Sequence, residues 1–240
     1  MESSMKKFII LIAAFILPSM VFAKTVEITK EKAPPAQTDI IFVLDKSGSM
    51  QGYEKDTIGG FNTILAENKN RPEKVYITTI LFDSKAKKLH NRIDINKIND
   101  LTANDYFASG NTALLDAVGN AITEGNKPNS PYKNVMMVII TDGEENSSRE
   151  YSLEKVKSLI TSAEKEKGWE FIFLGANFDA ISAAESIGIK SSNSTQYIQD
   201  AKGYGNAYES VNKAVQSKIE GKELNEDWKS SVEQDYNERK

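Results

Sequence analysis

From about residue 38 onward, apolar positions along the chain follow two repeat lengths in turn. The runs Ile40-Ile41-Phe42-Val43-Leu44, Val135-Met136-Met137-Val138-Ile139-Ile140 and Phe171-Ile172-Phe173-Leu174 are continuous, with no polar alternation. Strands of that kind are buried on both faces, as in a parallel sheet covered by helices. Elsewhere the apolar residues return every three or four positions: Leu153, Val156, Ile160 and Ala163 form one stripe, and Tyr204, Ala207, Tyr208, Val211, Ala214 and Val215 another. Such stripes are the core-facing sides of amphipathic helices. The pattern predicts strands at 39–45, 75–83, 86–93, 134–141 and 169–175, with a short one near 187–190. It predicts helices over about 53–68, 112–125, 152–167, 179–187 and 204–220. The expected fold is α/β and doubly wound, with a mostly parallel central sheet and helices on both faces. The link between 75–83 and 86–93 is too short for a crossover, so it is a hairpin that adds one antiparallel edge strand.

The ends of the chain read differently. Lys6-Lys7 precede the apolar run Phe8 to Leu17, Pro18 breaks it, and Val21-Phe22-Ala23 places small residues at the cleavage-determining positions. This is the pattern of a secretory signal peptide over 1–23, and it leads to the expectation of an exported protein, periplasmic or extracellular. A retained anchor needs about 20 apolar residues; this run is shorter, so no integral membrane protein is expected after cleavage. Residues 24–37, with Pro34-Pro35 in a polar stretch, read as a linker, and 38–220 as one domain. Over 221–240 charge dominates, yet Leu224, Trp228, Val232 and Tyr236 fall four apart, so this segment is either a solvated tail or a helix docked on the domain.

Composition narrows the function classes. At 240 residues one core is expected rather than two, and 40% hydrophobic with 27% charged residues is ordinary for a globular protein. The net charge of −4 becomes −5 once Glu2, Lys6 and Lys7 leave with the signal. There is no basic stripe, so nucleic acid is not an expected partner. With no cysteine, neither a disulfide framework nor a lipid-modified cysteine is available.

The candidate chemistry lies where strands end. Asp45-Lys46-Ser47-Gly48-Ser49 follows the first apolar run; Ser109-Gly110-Asn111-Thr112 precedes a helix; Thr141-Asp142-Gly143 ends a second apolar run. In doubly wound folds ligands gather beyond the carboxyl ends of the strands. Asp45, Ser47, Ser49, Thr112 and Asp142 would therefore share one mouth. Taken singly, each segment also fits helix capping or a turn. Together they form a hard-oxygen set without thiolate or imidazole, which suits Mg²⁺ first, then Mn²⁺ or Ca²⁺, and argues against zinc or copper.

These three segments resemble the von Willebrand factor A domain family and its metal-ion-dependent adhesion site, whose pattern is Asp-x-Ser-x-Ser, then a Thr, then an Asp; all five positions are matched. The order of strands and helices over 38–220 is also similar, and small secreted bacterial members are the kind of protein it looks like. The resemblance implies a three-layer sandwich in which Ser47 and Ser49 bind the cation directly, Thr112 directly or through water, and Asp45 and Asp142 largely through water. It also implies a function: adhesion to a protein partner whose own Asp or Glu completes the metal shell, with no catalysis.

Two other readings compete. Cytoplasmic members of the family, including the tellurium-resistance group, suggest an accessory subunit of an ATPase or stress-resistance complex, against which the signal peptide counts. A metal-dependent hydrolase needs a base or nucleophile beside the metal, and no such motif occurs. His90, the only histidine, is expected on the edge strand as a solvated residue. Asp83 and Asp116 are expected to make loop or helix hydrogen bonds, Lys46 and Tyr53 to flank the mouth, and Glu144 and Glu145 to make its rim acidic or to start a loop.

Overall fold

The computed structural model describes residues 36–240, so the expected signal peptide and nearly all of the linker lie outside the described residues. Six strands form one sheet: β1 (Thr38–Asp45), β2 (Val75–Phe82), β3 (Ala86–Asp94), β4 (Val135–Thr141), β5 (Glu170–Gly175) and β6 (Ser194–Gln196). Their order across the sheet is β3-β2-β1-β4-β5-β6. Only the β2–β3 pair is antiparallel, closed by the short connection that the sequence required. The helices are α1 (Glu54–Asn68), α2 (Leu114–Gly125), α3 (Leu153–Lys167), α4 (Ala180–Ser186), α5 (Ala201–Ile219) and α6 (Ser230–Arg239).

The continuous apolar strands are continuous because both faces are covered. In β1, Ile40, Phe42 and Leu44 pack against α1 and α5 through Phe61, Ile64, Tyr208 and Val211. Ile41 and Val43, one residue out of phase, pack against α2, α3 and α4 through Val118, Ile122, Val156, Ile160 and Ala184. Successive side chains of a strand point to opposite faces, so a strand with helices on either side has no solvent face on which to place a polar residue.

Two expectations are corrected. No strand occupies 187–190: there the chain completes α4, with Gly188 in the left-handed region at φ 96° and Ile189 N–H bonded to the Ala184 carbonyl, and the last strand is β6. Ser-Thr-Gln has no apolar run to announce it. Its pairing comes from β5 on one side, with Tyr197 N–H continuing the line onto Gly175 O at 3.0 Å. The final long helix starts at Ala201 rather than 204. Asp200 caps it by accepting from Gly203 N–H at 2.8 Å, and a Cβ at 203 would stand 1.8 Å from the Ile198 carbonyl oxygen, so only glycine fits this tight entry.

The charged C-terminal segment carries α6. Trp228 and Val232 are buried against the α5 side of the sheet, and Trp228 Nε1 donates to Ser192 O at 3.1 Å. Lys229, also buried, donates to the carbonyls of Ser191 and Ser194 at 2.8 and 3.2 Å. These contacts cover the end of the sheet beside β6, where an open edge would invite pairing with other chains.

Candidate functional site

The chain builds β1, β2 and β3 outward on one side, then returns to lay β4 on the other flank of β1. The carboxyl ends of β1 and β4 therefore meet at the point where the winding reverses, the usual ligand crevice of such sheets. Asp45 is the last residue of β1, and Asp142 follows Thr141, the last of β4.

Asp45 is fully buried and doubly anchored: Oδ1 accepts from Ser47 N–H at 2.7 Å and Oδ2 from the Thr141 hydroxyl at 2.5 Å. Its own carbonyl accepts from the buried Tyr106 hydroxyl. Ser47 Oγ lies 3.1 Å from Ser49 Oγ, and Ser49 Oγ donates to Asp142 Oδ1 at 2.6 Å. Thr112 is buried too, and a Cβ placed on Gly143 would stand 3.3 Å from Thr112 Oγ1 and 3.4 Å from Ser49 Oγ. Those two hydroxyls thus flank the same bare glycine next to Asp142. All five residues singled out in the sequence lie at the carboxyl end of the central strands.

Burial is the main influence on the two carboxyl groups. It raises Asp45 to about 6, against the pull of the Thr141 and Ser47 hydrogen bonds, with the charge of Asp142 a smaller push in the same direction. Asp142 is likewise raised by burial and lowered in part by Ser49 and Gln199. Two desolvated carboxylates with hydroxyls between them form a place where a cation relieves an existing cost.

Three hydroxyls and two carboxylates form a donor set suited to a hard cation. At ligand distances of 2.0–2.1 Å, adjacent oxygens around octahedral Mg²⁺ are about 2.8–3.0 Å apart, and the serine hydroxyls, hydrogen-bonded to each other, stand 3.1 Å apart. Among the described residues no three or more His, Asp or Glu side chains cluster to hold a metal on their own. Any ion here would depend on hydroxyl donors.

The loops are held together by residues that sequence reading placed less well. Gly48 N–H donates to Gly110 O at 3.0 Å and Ser109 N–H to Lys46 O at 2.8 Å, which ties the Thr112 loop to the serine loop. Ala113 N–H reaches Asp83 O at 2.8 Å, so Asp83 makes the loop contact expected of it. Thr112 does not open α2. The helix begins at Leu114, and its free N–H groups are capped from the β4–α3 loop: Leu115 by Glu145 Oε2 at 2.9 Å and Asp116 by Ser148 Oγ at 3.0 Å. Glu145 is therefore a cap and not a rim charge. Asp116 returns the favour, accepting from the backbone N–H groups of Arg149, Glu150 and Tyr151.

Lys46 does not stand free at the mouth; it is buried, paired with Asp83, and sits 5.1 Å from the ring centroid of Phe107. Tyr53 stacks on Tyr204 with centroids 5.3 Å apart. His90 is half-buried on β3, shares a hydrogen bond with Thr79 Oγ1 at 3.0 Å, and is less basic than usual because of that burial. The residue that sequence reading missed is Gln199, in the β6–α5 loop, whose Nε2 donates to Asp142 Oδ2 and, at 3.3 Å, to the Ser49 carbonyl. A lone glutamine in a polar loop carries no pattern that would mark it.

The profile of the von Willebrand factor type A domain matches residues 39–216. The chain belongs to that family. Solved structures bear out the three-layer α/β arrangement of this vWA domain. Proximal thread matrix protein 1 from the mussel byssus is 20% identical with a TM-score of 0.54, over 75% of this chain and 46% of its own. The form of that protein with a zinc-occupied MIDAS motif is 21% identical, TM-score 0.56, over 76% and 46%. The PilB minor pilin from Streptococcus sanguinis is 13% identical, TM-score 0.55, over 79% and 63%. The chain thus spans about half the length of the mussel protein, and at these identities the likeness concerns the fold. No curated protein matches the chain.

Proposed function

We infer that this vWA domain is a metal-dependent protein-interaction module, exported from the cell, and that Asp45, Ser47, Ser49, Thr112 and Asp142 hold its cation. The observation that carries the reading is the meeting of the Ser47 and Ser49 hydroxyls at 3.1 Å in front of the Asp142 carboxylate. The hard-oxygen donor set favours Mg²⁺, with Mn²⁺ or Ca²⁺ as alternatives. The zinc in the MIDAS motif of the mussel protein means that Zn²⁺ belongs in the same titrations despite its usual ligand preference. A cation held by neutral hydroxyls keeps its attraction for an anion and would be completed by an Asp or Glu of the partner protein. The role of this chain's residues is to hold it: Ser47, Ser49 and Thr112 as neutral donors, Asp45 and Asp142 as buried counter-charges fixed by Thr141, Ser47 and Ser49.

Export rests on the signal pattern at 1–23, and N-terminal sequencing of protein recovered from cells tests it: a chain starting at Lys24 is expected. No helix among the described residues is long and apolar enough to cross a membrane.

The adhesion reading is tested by capture of partners on the protein starting at Lys24, with Mg²⁺ or with chelator. Binding is expected to need both the cation and an acidic residue on the partner. A partner held equally well in chelator and by the Ser47→Ala, Ser49→Ala double variant refutes it. A hydrolase reading finds less support, because the one imidazole lies on the edge strand bonded to Thr79. It would require turnover of phosphate or ester substrates that Asp45→Ala abolishes. The ATPase-accessory reading would require the protein in the cytoplasm with residues 1–23 intact.

A further inference from the structure

The serine loop and the Asp142 loop come from strands that are neighbours, but among the described residues no backbone hydrogen bond across the mouth sets the distance between Ser49 and Asp142. The two loops are tied indirectly, by Gly48 N–H on Gly110 O and Asn146 N–H on Thr112 O through the Thr112 loop and by the Thr141 hydroxyl on Asp45 at the strand ends, so the links made directly across Ser49 and Asp142 are side chains. One is the Ser49 hydroxyl itself, on Asp142 Oδ1 at 2.6 Å. The other is Gln199, whose single amide nitrogen bridges the Ser49 carbonyl and Asp142 Oδ2 and so closes both loops onto a third.

Gln199 is itself held. Its Oε1 accepts from Asn177 Nδ2, and Asn177 occupies the left-handed region at φ 64° just beyond β5, a conformation asparagine tolerates better than most residues. The backbone on either side is pinned, by Tyr197 N–H on Gly175 O at 3.0 Å and by Asp200 N–H on Ile198 O at 2.8 Å. A glutamine that uses both ends of its amide in a pinned loop is a fixed strut.

Resting on the metal reading above, we propose that Gln199 is a positioning residue that sets which cation the site prefers, by clamping the Ser49 and Asp142 loops at the spacing of a small ion. Mg²⁺ demands near-ideal octahedral geometry at short distances, whereas Ca²⁺ accepts longer bonds and more ligands in flexible arrangements. Loosening a clamp of this kind penalises the small ion more than the large one. Loss of groups that orient metal-binding side chains typically costs about tenfold or more in affinity.

The test titrates Mg²⁺ and Ca²⁺ separately into the wild-type chain and into Gln199→Ala, Gln199→Leu and Asn177→Ala, reading affinity by calorimetry and melting temperature in chelator as a control for folding. Gln199→Ala and Gln199→Leu are expected to lose Mg²⁺ affinity by about tenfold and Ca²⁺ affinity by clearly less, so that the Mg²⁺/Ca²⁺ ratio narrows. Asn177→Ala should move the ratio the same way by a smaller factor. An unchanged ratio in both Gln199 variants, whether the two affinities fall together or stay as they were, overturns the proposal and leaves the metal site standing. If the wild-type chain binds neither ion, or the Ser47→Ala, Ser49→Ala variant binds as well as wild type, the metal reading itself fails and takes this proposal with it.

Discussion

Replacing Asp45 with asparagine separates stability from metal binding. In the structure Asp45 is wholly buried and its carboxyl is raised from 3.8 to about 6, chiefly by desolvation. At 1.36 kcal/mol per pKa unit, keeping it ionised at pH 7 costs the folded state on the order of 3 kcal/mol. The amide removes that charge with little else lost. Its carbonyl can still accept from Ser47 N–H, and the Thr141 hydroxyl, deprived of its carboxylate, already lies 3.1 Å from the Gly143 carbonyl and can donate there. In chelator at pH 7 the Asp45→Asn variant should therefore be more stable than wild type, by up to about 3 kcal/mol, or roughly 6–12 °C in Tm for a domain of this size. The sign follows from the raised pKa. The folded state holds the proton more tightly than the unfolded chain, so this contribution is most favourable below pH 3.8 and is lost as pH rises through about 6. The advantage of the variant should be only a few tenths of a kcal/mol at pH 4, grow steeply to about pH 6 and then level off. With saturating Mg²⁺ the order should reverse, because wild type gains the ion and the variant does not. Melting curves at several pH values, with and without Mg²⁺, measure all of this. If Asp45→Asn is less stable than wild type in chelator by the same amount at every pH, Asp45 is a net structural asset and the desolvation argument is wrong.

Three further outcomes are expected. A cation at about 100 times its dissociation constant adds roughly 2.7 kcal/mol, so Mg²⁺ should raise the wild-type Tm by about 5–10 °C; Ser47→Ala, Ser49→Ala and Thr112→Ala should each shrink that shift while the fold persists by circular dichroism, and a full shift in all three would place the ion elsewhere. Gly60→Ala puts a methyl 2.2 Å from the Tyr208 ring where α1 crosses α5, an overpacking that should destabilise by about 1–3 kcal/mol in denaturant titration; no change would mean the helices separate more easily than their packing suggests. Trp228→Ala empties a buried site and strands the Ser192 carbonyl, so a loss of about 3–5 kcal/mol is expected, together with faster proteolysis after residue 220, and an unaffected melt would mean the C-terminal segment folds apart from the core.

What the sequence determined by itself are the features whose cause is local. A strand covered on both faces must be apolar throughout, so β1, β4 and β5 announced themselves, and with them the carboxylates that close β1 and follow β4. The β2–β3 hairpin followed from a connection too short for anything else, and the Asp-x-Ser-x-Ser spacing set three candidate ligands within one turn of chain. Tertiary structure decided the rest, because it depends on which strands become neighbours. Gln199 meets Asp142 across 57 residues and Glu145 caps Leu115 across 30, contacts that exist only because β1, β4 and β5 lie side by side. Lys46 looked like a free charge at the mouth until β2 brought Asp83 beside it. The last strand was misplaced for the same reason: Ser194–Gln196 has no apolar signature, and its burial is imposed by β5 and the α6 segment rather than by its own side chains. Local pattern names the strands and the chemistry at their ends; the order in which the sheet is wound determines which of those ends face one another, and which distant polar side chains hold them there.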